Sequence, residues 1–291
     1  AGMYFGEFIE KYGEEVVGWK SSSLDRFPVL IKFIDAKNAL SIQIHPDDDY
    51  ALENENEFGK NEMWYVVDCE PGAYLYCGLK QDSSKEEIRE RIENNTITEI
   101  LNKIEVHKGD CVMVKAGTIH AIGAGILICE IQQNSNCTYR MYDYDRKDKF
   151  GNRKELHIDK AIDVVDVKKY KPFVSGNSGV PEGAELLVSC KYFECYKYVL
   201  GKSMDVEDNS DKNICNNNGS NSDTVAKTAI DRINISVDTM SFRSIIVIEG
   251  SGRITVGENE MDYRAGDSFF VTAGEKVVSV EGTGVVIVTK V

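Results

Sequence analysis

No C-x-x-C pair occurs among the eight cysteines of this chain, and only four histidines are spread over its 291 residues. The first absence argues against a thiolate zinc finger. A disulfide framework is not expected either, because Cys111 and Cys129 lie inside apolar strands where reduced, buried thiols belong. Positive charge is also short: 34 Lys and Arg stand against 48 Asp and Glu, for a net −14. Nucleic acid and anionic membrane would both be repelled, so an anionic ligand needs locally positive charge at its site. No apolar run approaches the roughly 18 residues that span a bilayer. No basic-then-apolar leader opens the chain, so a cytoplasmic protein is expected.

What is present is strand-rich. Alternating or continuous apolar runs predict strands at 29–33, 40–45, 63–68, 73–77, 105–107, 111–114 and 126–132, then at 186–190, 192–200, 244–249, 253–256, 268–272 and 285–290. The opening keeps a 3.6-residue period through Val17, with Gly18 as a stop. A helical insertion is expected over about 82–104, where Ser83 or Ser84 can cap a helix and 98–104 reads as a second short one. A further helix is expected over 155–165. The segment Gly109-Asp110-Cys111-Val112-Met113-Val114-Lys115-Ala116-Gly117 is echoed by Gly266-Asp267-Ser268-Phe269-Phe270-Val271-Thr272-Ala273-Gly274. Both read G-D-x-x-x-V-x-A-G, which suggests two related β modules.

Two stretches carry chemistry. In Leu40-Ser41-Ile42-Gln43-Ile44-His45-Pro46, Ile42 and Ile44 would face a core while Gln43 and His45 project together from the other face. In Ala116-Gly117-Thr118-Ile119-His120-Ala121, a His follows a Gly turn. Glu62 opens the strand between them. Either His alone could equally end a strand or sit satisfied in a core, and Glu62 alone could be a solvated carboxylate. Together with Gln43 they make a hard-to-borderline N/O site of about +1 formal charge with a divalent ion such as zinc, more suited to catalysis than to a closed structural site. His107 and His157 share no strand end with another candidate and are not expected to be ligands.

At these residues the chain resembles the type I mannose-6-phosphate isomerases, particularly their short bacterial form. The resemblance is carried by Ser41–Asp48, Gly59–Tyr65, Ala116–Ile122, Glu130–Ser135 and Thr138–Arg146, in the family's order and spacing. It implies an all-β dominated chain of two cupin-type jelly rolls with a helical insertion in the first. Residues 1–180 would be the catalytic domain. Residues 181–291 would be a degenerate roll without metal ligands, containing a mobile Asn/Ser-rich loop at about 204–228. Gln43, His45, Glu62 and His120 would bind one Zn2+, with Lys60, Glu130 and Arg140 catalytic and a small sugar phosphate as substrate. Arg140 and Arg146 are the nearest candidates for its phosphate. The chain departs from the family pattern at Asn136, where Asp is usual. The rival readings are an iron-dependent cupin oxygenase and a non-catalytic sugar-phosphate-binding cupin. Gln43 and Lys60 favour the isomerase.

Overall fold

The computed structural model describes residues 2–22, 24, 26–173, 175, 179–201 and 230–291. The segment 204–228, expected to be a mobile loop, lies outside the described residues. The chain divides into two compact units, one spanning 29–173 and the other joining 1–28 to the chain from 174 onward. The opening residues therefore group with the second module, not with the first as the 1–180 boundary had it.

Those opening residues form three short helices, α1 (Phe5–Tyr12), α2 (Glu14–Val17) and α3 (Trp19–Ser22). The expected single helix is interrupted at Gly13, whose φ of 51° leaves the helical region. Gly18 then turns the chain at φ 83°, where an added Cβ would meet the Met240 backbone at 2.6 Å.

The first module contains β1 (Val29–Ala36), β2 (Ile42–Ile44), α4 (Asp48–Glu55), β3 (Glu62–Cys69), β4 (Tyr74–Leu79) and α5 (Lys85–Glu93). They are followed by β5 (Leu101–Glu105), β6 (Cys111–Val114), β7 (His120–Ile122), β8 (Ile126–Gln133), β9 (Tyr139–Tyr142) and α6 (Ile158–Val164). Two sheets result, ordered β1-β8-β3-β6 and β5-β4-β7-β2-β9. The inner faces meet in one apolar cluster that includes Trp64, Val66, Leu75, Val112, Ile122 and Ile128. The outer face of the second sheet, with Ile42, Ile44 and Met141, is covered by Ile88 and Ile92 of α5 and Ala161 and Ile162 of α6. The expected second helix at 98–104 is instead a 3-10 turn (Ile97–Glu99) running into β5. Pairing with β4, Leu75 opposite Ile104 and Tyr74 opposite Glu105, overrides the local helical preference.

The second module contains β10 (Ala184–Ser189), β11 (Glu194–Leu200), β12 (Arg232–Val237), β13 (Arg243–Val256), β14 (Asn259–Arg264), β15 (Ser268–Val271) and β16 (Lys276–Lys290). All seven belong to one hydrogen-bonded sheet. The expected pair of strands at 244–249 and 253–256 is a single 14-residue strand. Gly250 and Gly252 read as a break in sequence, yet they pair with Gly284 and Gly282. A Cβ on Gly250 would lie 1.9 Å from the Thr283 oxygen, so the two long strands run this close only because both lack side chains there.

Candidate metal centre and active site

Local chemistry places each candidate ligand. Ile42 and Ile44 are fully buried on the helix-covered face of β2, which turns Gln43 to the interior. His45 precedes Pro46, which keeps its backbone extended. Asp47 then caps α4, accepting from the Tyr50 N–H at 3.0 Å, and so fixes the end of the ligand strand. Gly117 takes φ 81° and donates its N–H to the His45 carbonyl at 2.8 Å, which ties the turn before His120 to the first ligand. Gln43 pairs with His120 on one side and with Arg140 on the other. Directly opposed residues share a face, so the three project together.

The structure brings His45, Glu62 and His120 together, each fully buried, with one ligand atom from each lying within 4.8 Å of the others. Among the described residues this is the only such cluster. Glu62 Oε2 is 3.4 Å from His45 Nε2, and Glu62 Oε1 is 3.3 Å from His120 Nε2. Both rings hydrogen-bond a backbone carbonyl through Nδ1: His45 to Cys137 at 3.0 Å, His120 to Thr118 at 2.8 Å. Donation from Nδ1 leaves each Nε2 as a lone pair facing Glu62. Those two nitrogens and both Glu62 oxygens have no hydrogen-bond partner. Buried polar atoms are rarely left unsatisfied, and four converging acceptors are what a cation would satisfy. The residues present therefore fit a divalent metal.

Charge follows the same geometry. Burial is the largest influence on both imidazoles and lowers their pKa, that of His120 to about 3, against the pull of the Glu62 charge. Burial raises the Glu62 carboxyl, but the neighbouring His45, Lys60 and His120 outweigh it and hold it below the usual carboxylate range. The site is thus two neutral imidazoles and one carboxylate. Lys60, itself buried, places Nζ 3.0 Å from Glu62 Oε2 as an ion pair without hydrogen-bond alignment.

Glu130 is buried on β8, directly opposite Trp64 and two residues from Gln132, which pairs with Glu62. Trp64 donates Nε1–H to Glu130 at 3.2 Å, and Lys32 reaches Glu130 at 2.6 Å and Gln132 at 2.5 Å. Lys32 and Gln132 were missed in sequence. The signal was there: Lys32 is a lone charge in the apolar run Val29–Ile34, at the inward phase of β1. Arg140 donates Nη1–H to the Glu155 carbonyl at 2.8 Å, and its Nε lies 3.4 Å from Ser41 Oγ. His157 is not in the cluster; its Nδ1 accepts the Arg140 N–H at 3.1 Å. His107 is exposed, and so is Asn136. Arg146 donates Nη1–H to Ala39 at 2.6 Å, and its Nε and Nη2 bind Asp143.

A two-sheet roll with two inward histidines and a carboxylate in one buried cluster that could hold a metal is of the cupin class. Residues 2–70 match the phosphomannose isomerase type I catalytic domain, and residues 223–291 match the mannose-6-phosphate isomerase cupin domain. A mannose-6-phosphate isomerase of Streptococcus mutans is 37% identical over 271 residues, 91% of this chain and 75% of the relative. The crystal structure of the Bacillus subtilis mannose 6-phosphate isomerase superposes with a TM-score of 0.79 at 31% identity, covering 97% of this chain and 81% of that one. A mannose 6-phosphate isomerase solved with zinc and yttrium bound shares the fold, with a TM-score of 0.71 at 15% identity, over 99% of this chain and 85% of that one. The chain belongs to the type I mannose-6-phosphate isomerases, a family of enzymes. No described helix is long and apolar enough to cross a membrane.

Proposed function

We propose that this chain interconverts mannose 6-phosphate and fructose 6-phosphate with one zinc ion held by Gln43, His45, Glu62 and His120. The observation that carries the reading is the set of four orphaned acceptor atoms beside a buried lysine. Two imidazoles, a carboxylate and an amide oxygen suit zinc among the divalent ions, and a relative of the same fold has been solved with zinc. When bound, the ion supplies Lewis acidity beside the sugar oxygens nearest the reacting carbons.

The two sugars differ by one proton moved between C2 and C1 and one moved between O2 and O1, by way of a cis-enediol. A carbon-bound proton leaves only if a positioned group accepts it and returns it to the neighbouring carbon. Lys60 and Glu130 serve this transfer and the hydrogen bonding around it. Lys32 and Trp64 keep Glu130 in place for that role. Arg140 offers charge to the substrate, with two of its donors already holding the guanidinium in position. Arg146, the other phosphate candidate, is committed to Asp143 and the Ala39 carbonyl and supports the chain instead. The substrate is a small sugar phosphate.

The test is paired. His120→Ala and Glu62→Gln should each lower zinc from one per chain by metal analysis and abolish turnover of mannose 6-phosphate. Turnover that survives in a zinc-free variant overturns the reading.

A further inference from the structure

The G-D-x-x-x-V-x-A-G echo extends from sequence into hydrogen bonds. Gly109 donates its N–H to the Val66 carbonyl at 2.8 Å, and Gly266 donates to Val247 at 2.9 Å. The carboxylates of Asp110 and Asp267 each accept the backbone N–H three residues back, at 2.7 and 2.9 Å. The register slips at the same place in both modules, between Val66 and Asp68 and between Val247 and Glu249. Strand pairing β6-β3-β8-β1 in the first module is repeated as β15-β13-β16-β11 in the second.

This correspondence assigns counterparts residue by residue. Val114 pairs with Glu62 and Val271 pairs with Arg243, so Arg243 stands where Glu62 does. Lys290, one past the Ser244–Thr289 pair, takes the place of Gln132. Glu130 opposite Lys32 becomes Val288 opposite Tyr196. Gln43 opposite His120 becomes Ser236 opposite Val277. None of these counterparts is a metal ligand of the first module's kind.

A cavity of about 400 Å³ opens at this counterpart position, with Arg243, Lys290, Tyr196, Tyr198 and Val288 in its wall. That is within the usual size of small-molecule sites. Asn234, Ile235 and Ser236 of β12 close one side, and Glu182 is the wall's one carboxylate against two cations. Both cations are ion-paired from behind, Arg243 with Asp238 and Lys290 with Glu194. The cations are held rather than loose. Arg243 is buried and donates Nη1–H to the Ser241 and Phe242 carbonyls at 2.9 and 3.0 Å, with Asp238 3.4 Å from Nη2. Lys290 lies 2.8 Å from Glu194, which also accepts from the Tyr196 hydroxyl at 2.6 Å.

We infer that the second module carries its own binding site for a small phosphorylated polyol, at the place in its roll that the metal centre occupies in the first. A planar guanidinium and an ammonium from neighbouring strands suit the oxygens of a phosphate ester. The Tyr196 and Tyr198 side chains in the wall and the polar β12 edge suit a hydroxylated carbon skeleton. Among the described residues the site has no cluster of metal-ligating side chains and no lysine beside a carboxylate at the Glu62 position, so its role is binding. Its test counts the first module's site as the other of two, and in that count it rests on the isomerase reading.

Equilibrium dialysis of the whole chain with mannose 6-phosphate as the probe tests this, with inorganic phosphate run alongside. Two sites per chain are expected, the second weakened at least tenfold in Lys290→Gln and in Arg243→Gln while turnover stays at the wild-type level. Because Arg243 is buried and its variant can fail to fold, the half-exposed Lys290 carries the decision. Binding that Lys290→Gln leaves unchanged, at one site per chain or at two, overturns the inference, whereas a single site that Lys290→Gln weakens in a chain without turnover overturns the isomerase reading and not this one. Inorganic phosphate filling the second site as tightly as the sugar ester overturns the polyol assignment.

Discussion

Lys60 is the residue whose surroundings most constrain its role. A buried ammonium 3.0 Å from the Glu62 carboxylate gives the site a positive group that water cannot replace. Replacing it by Met should cost about 10²–10⁴-fold in kcat, the usual scale for a positioned proton-transfer group. Zinc content should stay at one per chain; unchanged kcat would remove Lys60 from the mechanism. The histidines make a second prediction, for the metal-free protein. Their folded pKa values lie below the ordinary 6.5, that of His120 at about 3. Below pH 6.5 the unfolded chain therefore binds protons that the folded chain does not, and stability falls as pH drops from about 6.5 towards 3. Melting temperatures of chelator-treated protein between pH 7 and 5 should decline, and His120→Gln should flatten the decline. Equal slopes in both proteins would contradict neutral, buried imidazoles.

At the scale of elements, a set of amide hydrogen bonds joins the segments that carry the ligands. Asn61 accepts the Ala116 N–H at 3.1 Å through Oδ1 and donates Nδ2–H to Gln133 Oε1 at 2.8 Å. Gln133 in turn donates Nε2–H to Asp48 at 3.0 Å, just past His45, and Asp48 also accepts the Gly59 N–H at 3.0 Å. These bonds bind the approaches to His45, Lys60, Glu62 and His120 to one another. Asn61→Ala should loosen zinc by roughly 10–100-fold in chelator competition without unfolding the protein, the scale found for groups that orient ligands. Full affinity in the variant would make the network incidental. Side-chain amides of this kind leave no pattern in sequence, whereas the period-2 strands and the His, Glu and Gln phases do. The same contrast explains β5: residues 98–104 have helical composition, and only their partner β4 decides otherwise. Strands β13 and β16 were harder still, because paired glycines that permit close crossing look the same as turn glycines until the partner strand is known.

For the whole molecule, the two modules share a strand-pairing scheme and differ in what their mouths hold, metal-ready acceptors in one and paired cations in the other. The cluster of His45, Glu62 and His120 was legible because strand phase and a Gly turn place these residues without knowledge of the rest. Lys32, by contrast, acquires meaning only when β1 is seen against β8, where its ammonium meets Glu130 at 2.6 Å. The central claim is a metal-dependent isomerase, and the most direct measurement is conversion of mannose 6-phosphate to fructose 6-phosphate by the purified chain, before and after chelation and with zinc added back. Turnover that chelation abolishes and zinc restores is the predicted result. A folded, zinc-loaded chain that converts no sugar phosphate, or one that converts it equally well after the metal is removed, would contradict the account.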